Sequence, residues 1–261
     1  MPYDAAMLRR HYRTLRRWRH RVRNAIRLRR ALASPHRLVL VHQMGKVGSS
    51  AVLEALRAVR GLPVFQTHWI NAANLDRKVG VVRERERRSA RYGDRDEFGR
   101  MLHARVVTPG VGADVISLVR EPIGRNVSSY FQHLDEIWGV KKAHKRVPLE
   151  ELVRGFVEVF EHDEPLAWFD TEIRDNFGID VFAQPFPVDQ GWTVMERAPW
   201  RLLLLRADLD DAAKAHRVGA FLGRDDIRVV PANVGSQKRY AEVYRAFKAR
   251  LELSEAYVER M

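Results

Sequence analysis

Residues 37–60 hold the pattern that most narrows the fold. A short apolar run, Arg37–His42, stops at a loop rich in glycine, lysine and serine, HQMGKVGSS (42–50). Val52, Leu53, Leu56 and Val59 then recur at the spacing of an amphipathic helix over Ser49–Arg60. Strand, glycine loop and helix in direct succession form the opening unit of a sheet covered by helices.

The alternation continues. Gly61–Leu62–Pro63 stops the helix, Val64–Trp69 reads as a second strand, and residues 71–100 read as a charged helical stretch with a loop around Tyr92–Asp94. Asp114–Val119 reads as a third strand. Pro122 then opens a helix, Ile123–Ile137, at the position where a missing N–H costs nothing. The second half predicts helices near 148–162 and 166–177, a strand pair near 179–186 and 192–195, a buried strand Trp200–Arg206, and helices near 210–221 and 237–257. These elements predict an α/β domain over 37–261 with a mostly parallel central sheet flanked by helices.

Residues 1–36 stand apart as a basic arm. Among the first 37 positions are twelve arginines, no lysine and one acid, Asp4, so most of the formal net charge of +13 lies there. Met7–Leu32 reads as a helix whose apolar members are Leu8, Leu15, Trp18, Val22, Ile26 and Leu28. Such a segment suits a solvated arm or an anionic membrane surface, with nucleic acid the least favoured partner. No apolar run is long enough to span a bilayer and no secretory leader is evident, so the expectation is a cytoplasmic protein, soluble or peripheral at the inner face of the membrane. The chain has no cysteine, which excludes disulfides, zinc–thiolate sites and thiol nucleophiles.

Two stretches carry the chemistry. In HQMGKVGSS, the backbone N–H groups of Gly48, Ser49 and Ser50 open a helix and can hold an anion that Lys46 also reaches. The order is not that of an ATPase loop, because Lys46 precedes Gly48 and no Gly-Lys-Ser/Thr triplet follows. In SLVREPIGRNVSSY (117–130), Arg120 ends the third strand and Ser128 follows on the next helix; a guanidinium fork and a hydroxyl suit a second phosphate.

G-K-V-G-S-S together with R-E-P-x5-S resembles the paired signatures of sulfotransferases that use 3′-phosphoadenosine 5′-phosphosulfate (PAPS), and Tyr130 fits the R-x-P-x5-S-x-Y form of the carbohydrate enzymes. HQMGKVGSS, WFDTEIRDNFGIDVF (168–182) and NVGSQKRYAEVYRAFK (233–248) further resemble bacterial capsular polysaccharide sulfotransferases. The resemblance implies a P-loop-containing sulfotransferase-like fold, PAPS as donor with no metal, and a glycan hydroxyl as acceptor. It assigns the 5′-phosphosulfate to Lys46, Val47, Gly48, Ser49 and Ser50, the 3′-phosphate to Arg120 and Ser128, and a closing contact to Lys238 in NVGSQKRY.

An acceptor hydroxyl calls for a base. His68, in VFQTHWIN, ends the second strand and resembles the histidine that follows an aromatic-rich strand in the uronyl 2-O-sulfotransferases, although Gln66 stands where those have the first histidine of H-x-H. His42, beside the loop, and Glu172 are the other candidates. A P-loop kinase with an altered loop, or an inactive protein acting through its basic arm, are the competing readings.

Overall fold

The computed structural model describes residues 5–76, 93–229 and 240–261. Short β-branched and leucine runs, buried at most positions, become β1 (Val39–His42), β2 (Val64–Thr67), β3 (Asp114–Val119) and β5 (Trp200–Arg206), joined by the half-exposed β4 (Trp192–Arg197). Their order is β2-β1-β3-β5-β4. All neighbours are parallel except β4, which pairs antiparallel with β5 and closes one edge.

That order fixes where a ligand can sit. After β1 the chain goes to β2 on one side, then returns to β3 on the other, so β1 and β3 flank the point where the winding reverses. Their following loops diverge there and leave a crevice outside the carboxyl ends of the strands. The loop after β1 leads into α2 (Ser50–Ala58), and the loop after β3 into α4 (Pro122–Ile137).

At the opposite end of the sheet, Asp114 is buried and accepts from Arg37 Nε at 2.7 Å and Arg201 Nη1 at 3.3 Å, tying the starts of β1, β3 and β5 together. Arg37 also donates to the Pro199 carbonyl.

α1 (Ala5–Leu32) is a 28-residue helix whose final turns dock on the domain. Leu28 and Ala31 are buried in the main core, Arg27 lies over the Phe65 ring with its carbon 5.2 Å from the centroid, and Arg21 pairs with Glu97 at 3.1 Å. Glu97 belongs to α3 (Gly93–Leu102), which runs into a π-helical turn, His103–Val107. α3 packs so closely on the end of β2 that a Cβ on Gly99 would sit 2.2 Å from the Trp69 carbonyl oxygen. Gly93 and Asp94, expected in a loop, already belong to this helix.

A second, aromatic core lies away from the sheet. α4, the short α5 (Ala143–Arg146), α6 (Leu149–Glu158) and α9 (Ala241–Arg250) enclose Tyr130, Phe131, Phe156 and Phe247. Tyr130 donates to the Leu152 carbonyl at 2.9 Å and accepts from Trp138 Nε1 at 3.1 Å. The motif tyrosine therefore joins α4 to α6 rather than facing the crevice.

Two expected elements differ. Residues 179–186 form turns rather than a strand, because Asp180 caps the Phe182 N–H at 2.9 Å and prolines at 185 and 187 interrupt pairing. The predicted 237–257 helix is two helices, α9 and α10 (Glu255–Arg260), with Ser254 capping the second through the Tyr257 N–H at 3.3 Å. α7 (Glu164–Phe169) continues through a π-turn, Asp170–Arg174, into Asp175–Phe177, and α8 (Asp211–Leu222) follows β5. Among the described residues no helix is long and apolar enough to cross a membrane.

Candidate functional site

The loop between β1 and α2 is shaped by three carbonyls that accept from side chains around it. His68 Nδ1 lies 2.8 Å from the Gln43 oxygen and must donate, since a carbonyl only accepts. Arg125 Nε donates to the Gly45 oxygen at 3.0 Å, and Arg120 Nη1 to the Lys46 oxygen at 3.1 Å. In a planar trans peptide the next N–H points opposite to the carbonyl, so these three ties turn the N–H groups of Met44, Lys46 and Val47 the other way. Lys46 and Gly48 have φ of 74° and 83°. Left-handed turns within such a loop gather successive N–H groups into a concavity suited to an anion.

The start of α2 adds to this. Ser49 stands at the N-cap position without a capping hydrogen bond; its hydroxyl meets the Gln43 amide at 2.6 Å instead. The other end of that amide is buried and has no hydrogen-bond partner among the described residues. Val47 and Ser49 are buried, Ser50 is half-buried and Gly48 is exposed, so the loop offers its backbone more than its side chains.

The start of α4 is different. Glu121 caps its own helix, accepting from the N–H groups of Ile123 and Gly124 at 2.5 and 2.6 Å. A carboxylate thus occupies the positive end of α4, and any anion bound here must rely on Arg120. Arg120 is exposed at the crevice, whereas Ser128 lies farther along α4 and is 6% exposed.

Arg125 escaped the reading of the sequence. It is 2% exposed, pairs with Glu164 of α7 at 2.7 Å and reaches Asn126 Oδ1 at 3.0 Å, so it locks the β1–α2 loop to α4 and α7. Its place between Gly124 and Asn126 in REPIGRN carries no signal of burial, and the apolar positions at 127, 130 and 131 lie on the opposite face of the helix. His133, farther along the same helix, lies near enough to Lys46 to feel its charge. Its Nδ1 meets the Ser129 carbonyl at 2.9 Å. Burial chiefly, with a smaller contribution from Lys46, lowers its pKa against the opposing charges of Glu136 and Glu164.

The three proposed bases separate. His68 is half-buried at the end of β2, with its backbone carbonyl accepting from Trp168 Nε1 at 3.0 Å. His42 and Glu172 are fully buried against each other, with Nε2 and Oε2 3.3 Å apart. Glu172 also accepts from the Ile70 and Asn71 N–H groups at 2.7 and 3.1 Å and from Asn74 Nδ2 at 2.8 Å. Burial by itself would raise the Glu172 carboxyl, but the hydrogen bonds from His42, Asn74 and Ile70 outweigh it and hold the pKa below its usual value. With no exposed atom, this pair pins the chain after β2 to the π-turn that follows α7 and cannot meet an acceptor hydroxyl. Lys238, with Ser236 and Arg239, lies outside the described residues.

Beside the crevice, Val119 at the end of β3 forms one wall of an open cavity of about 460 Å³ lined also by Phe169, Val181, Phe182, Phe186 and Leu204. The turns at 179–186 contribute Phe182 and Phe186 to its wall.

Residues 151–260 match the model of the NKWYS family, described as "Putative capsular polysaccharide synthesis protein". The match covers α6 to α10, including Glu164 and Glu172, and leaves out the loops that carry Lys46 and Arg120. No curated protein and no solved structure matches the chain.

Proposed function

We propose that this protein is a sulfotransferase that moves a sulfuryl group from PAPS to a hydroxyl of a surface glycan. The observation that carries the reading is the loop at residues 43–48, whose carbonyls are tied back by His68, Arg125 and Arg120 at the point where the sheet winding reverses. An anion-binding backbone is thereby set before any ligand arrives, which is the condition for electrostatic stabilisation without reorganisation. The family match over 151–260 supports the glycan context.

In this reading the loop N–H groups hold the 5′-phosphosulfate and Lys46 offsets the negative charge that grows on the phosphate. Arg120 reaches the 3′-phosphate from the other side of the crevice, with Ser128 assisting from α4 and Lys238 closing over the nucleotide. An acceptor oxygen forms its bond to sulfur as the bond from sulfur to the bridging oxygen breaks, and that electron pair stays on the phosphate. His68 takes the acceptor proton: donation of Nδ1–H to Gln43 leaves Nε2 as the basic nitrogen of the neutral ring. The three ties on the loop make His68, Arg125 and Arg120 positioning residues as well.

The test is incubation of the full chain with sulfur-labelled PAPS and a panel of capsular and other glycans. Label should pass to a glycan, be lost with Lys46→Ala, and require more PAPS with Arg120→Ala. Adenosine 3′,5′-bisphosphate should raise the melting temperature, and ATP with magnesium should not. Protection by ATP with magnesium alone would overturn the proposal in favour of a kinase, and normal turnover by Lys46→Ala would overturn the assigned chemistry.

A further inference from the structure

The helix α1 presents two unlike faces. Leu28 and Ala31 face the core, whereas Tyr12, Leu15, Trp18 and Ile26 remain 69, 55, 59 and 46% exposed. With Val22 between them, these residues follow one another at intervals of three and four, so they share one side of the helix, turned away from the docked side. Arg16, Arg19, Arg23 and Arg30, all exposed, run along the edge of this stripe. A helix that leaves a tryptophan, a tyrosine and two large aliphatics in water, bordered by guanidinium groups, has the composition of one that lies in a membrane interface.

We infer that the outer face of α1 seats this protein on an anionic lipid bilayer, with Leu15, Trp18, Val22 and Ile26 entering the headgroup region and the bordering arginines pairing with lipid phosphates. Charge complementarity selects this occupant. The only ion pair of the described α1 side chains is Arg21 with Glu97, on a different side from the stripe. Near its docked end positive charge is crowded: desolvation first, then Arg57 and Arg23, lower the pKa of Arg27. An anionic surface relieves that crowding. Nucleic acid would take the arginines but has no use for a continuous apolar stripe, and a second copy of this face would bring like charges together.

The docked final turns make α1 an anchor with a fixed attitude rather than a tether. Leu28, Ala31 and the Arg27–Phe65 contact hold the lipid-facing stripe in one orientation relative to the sheet. The crevice therefore meets the membrane at a defined angle.

The full chain should float with phosphatidylglycerol–phosphatidylcholine vesicles and not with phosphatidylcholine alone. Trp18→Ala with Leu15→Ala should release it, although all arginines remain. Arg16→Gln, Arg19→Gln and Arg23→Gln should weaken binding about fivefold each, with weaker dependence on salt. Labelled PAPS turnover on a soluble acceptor, or the melting temperature, serves as the check that these variants are folded, since the substituted side chains are exposed. Failure to float with anionic vesicles would overturn the inference. So would flotation unchanged by loss of Trp18 and Leu15, which would mean charge attraction alone. Tight duplex DNA binding in place of vesicle binding, or a dimer in ultracentrifugation that Trp18→Ala dissolves while vesicles remain unbound, would overturn it as well.

Discussion

Lys46 provides a test in which the sign of the effect is the result. Its φ of 74° places a residue with a side chain in left-handed backbone, which costs about 1–2 kcal/mol relative to glycine. Glycine would remove that cost but adds freedom to the unfolded chain worth about 0.5–1 kcal/mol. Lys46→Gly should therefore be more stable than Lys46→Ala by about 0.5–1 kcal/mol, or roughly 2 °C in melting temperature for a chain of this size. Both variants lack the ammonium, so every contact of the lysine side chain cancels in the comparison. Urea and thermal unfolding followed by tryptophan fluorescence measure the difference, and unchanged urea slopes would assign it to stability rather than to the unfolded state. Both variants should lack sulfuryl transfer. An alanine variant more stable than the glycine variant, the ordinary order in a helix, would refute the left-handed turn at Lys46.

Gly48→Ala should cost about 1–2 kcal/mol in urea unfolding, all of it backbone, because no atom lies within 4 Å of where the Cβ would sit. Arg125→Met leaves the Gly45 carbonyl untied and the Glu164 carboxylate alone, and should cost about 2–4 kcal/mol. Discounted for the 31% exposure of Glu164, this effect should appear with weaker protection by adenosine 3′,5′-bisphosphate in thermal shift. Tyr130→Phe removes a donor to Leu152 and an acceptor for Trp138, and should destabilise by about 1–2 kcal/mol without changing turnover. For Glu172, whose folded pKa is depressed, the stabilisation is complete above the unfolded value near 4.5 and is lost as pH falls through the folded pKa. Glu172→Gln should therefore lower stability at neutral pH and flatten the acid side of a stability–pH curve.

The parts of the fold set by local composition were legible in the sequence. Glycine, lysine and serine between an apolar run and a 3.6-residue period can hardly form anything but a strand–loop–helix turn, and the inner strands follow from unbroken aliphatic runs. The stretch at 179–186 misled because Ile179 and Val181 alternate like a strand while the prolines at 185 and 187 deny it partners. Likewise, the period from 237 to 257 continues across a break that the Ser254 cap enforces. At the site, the candidate loop and Arg120 were visible because their residue types announce anion chemistry. Arg125 was not, since a buried arginine and a solvated one look alike until the carbonyl and carboxylate that surround it are known. His42 and Glu172 were singled out for their chemistry, but the tertiary contacts that bury them, across 130 residues of chain, leave no local trace.

The π-turn at Asp170–Arg174 gives one position of the chain an unusual sensitivity to length. Here the Asp175 N–H donates to the Asp170 carbonyl five residues back, so the helix carries one residue more per turn than its neighbours. Glu172 sits inside that wider turn. Deleting a single residue from it would restore ordinary α-helical spacing between α7 and Asp175–Phe177 and remove the wider turn that presents Glu172. Glu172 could then no longer reach His42 while Trp168 and Phe177 keep their seats in the core. A one-residue deletion, harmless in most surface loops, would here unfasten the chain after β2 and with it the tie from His68 to the Gln43 carbonyl in the β1–α2 loop.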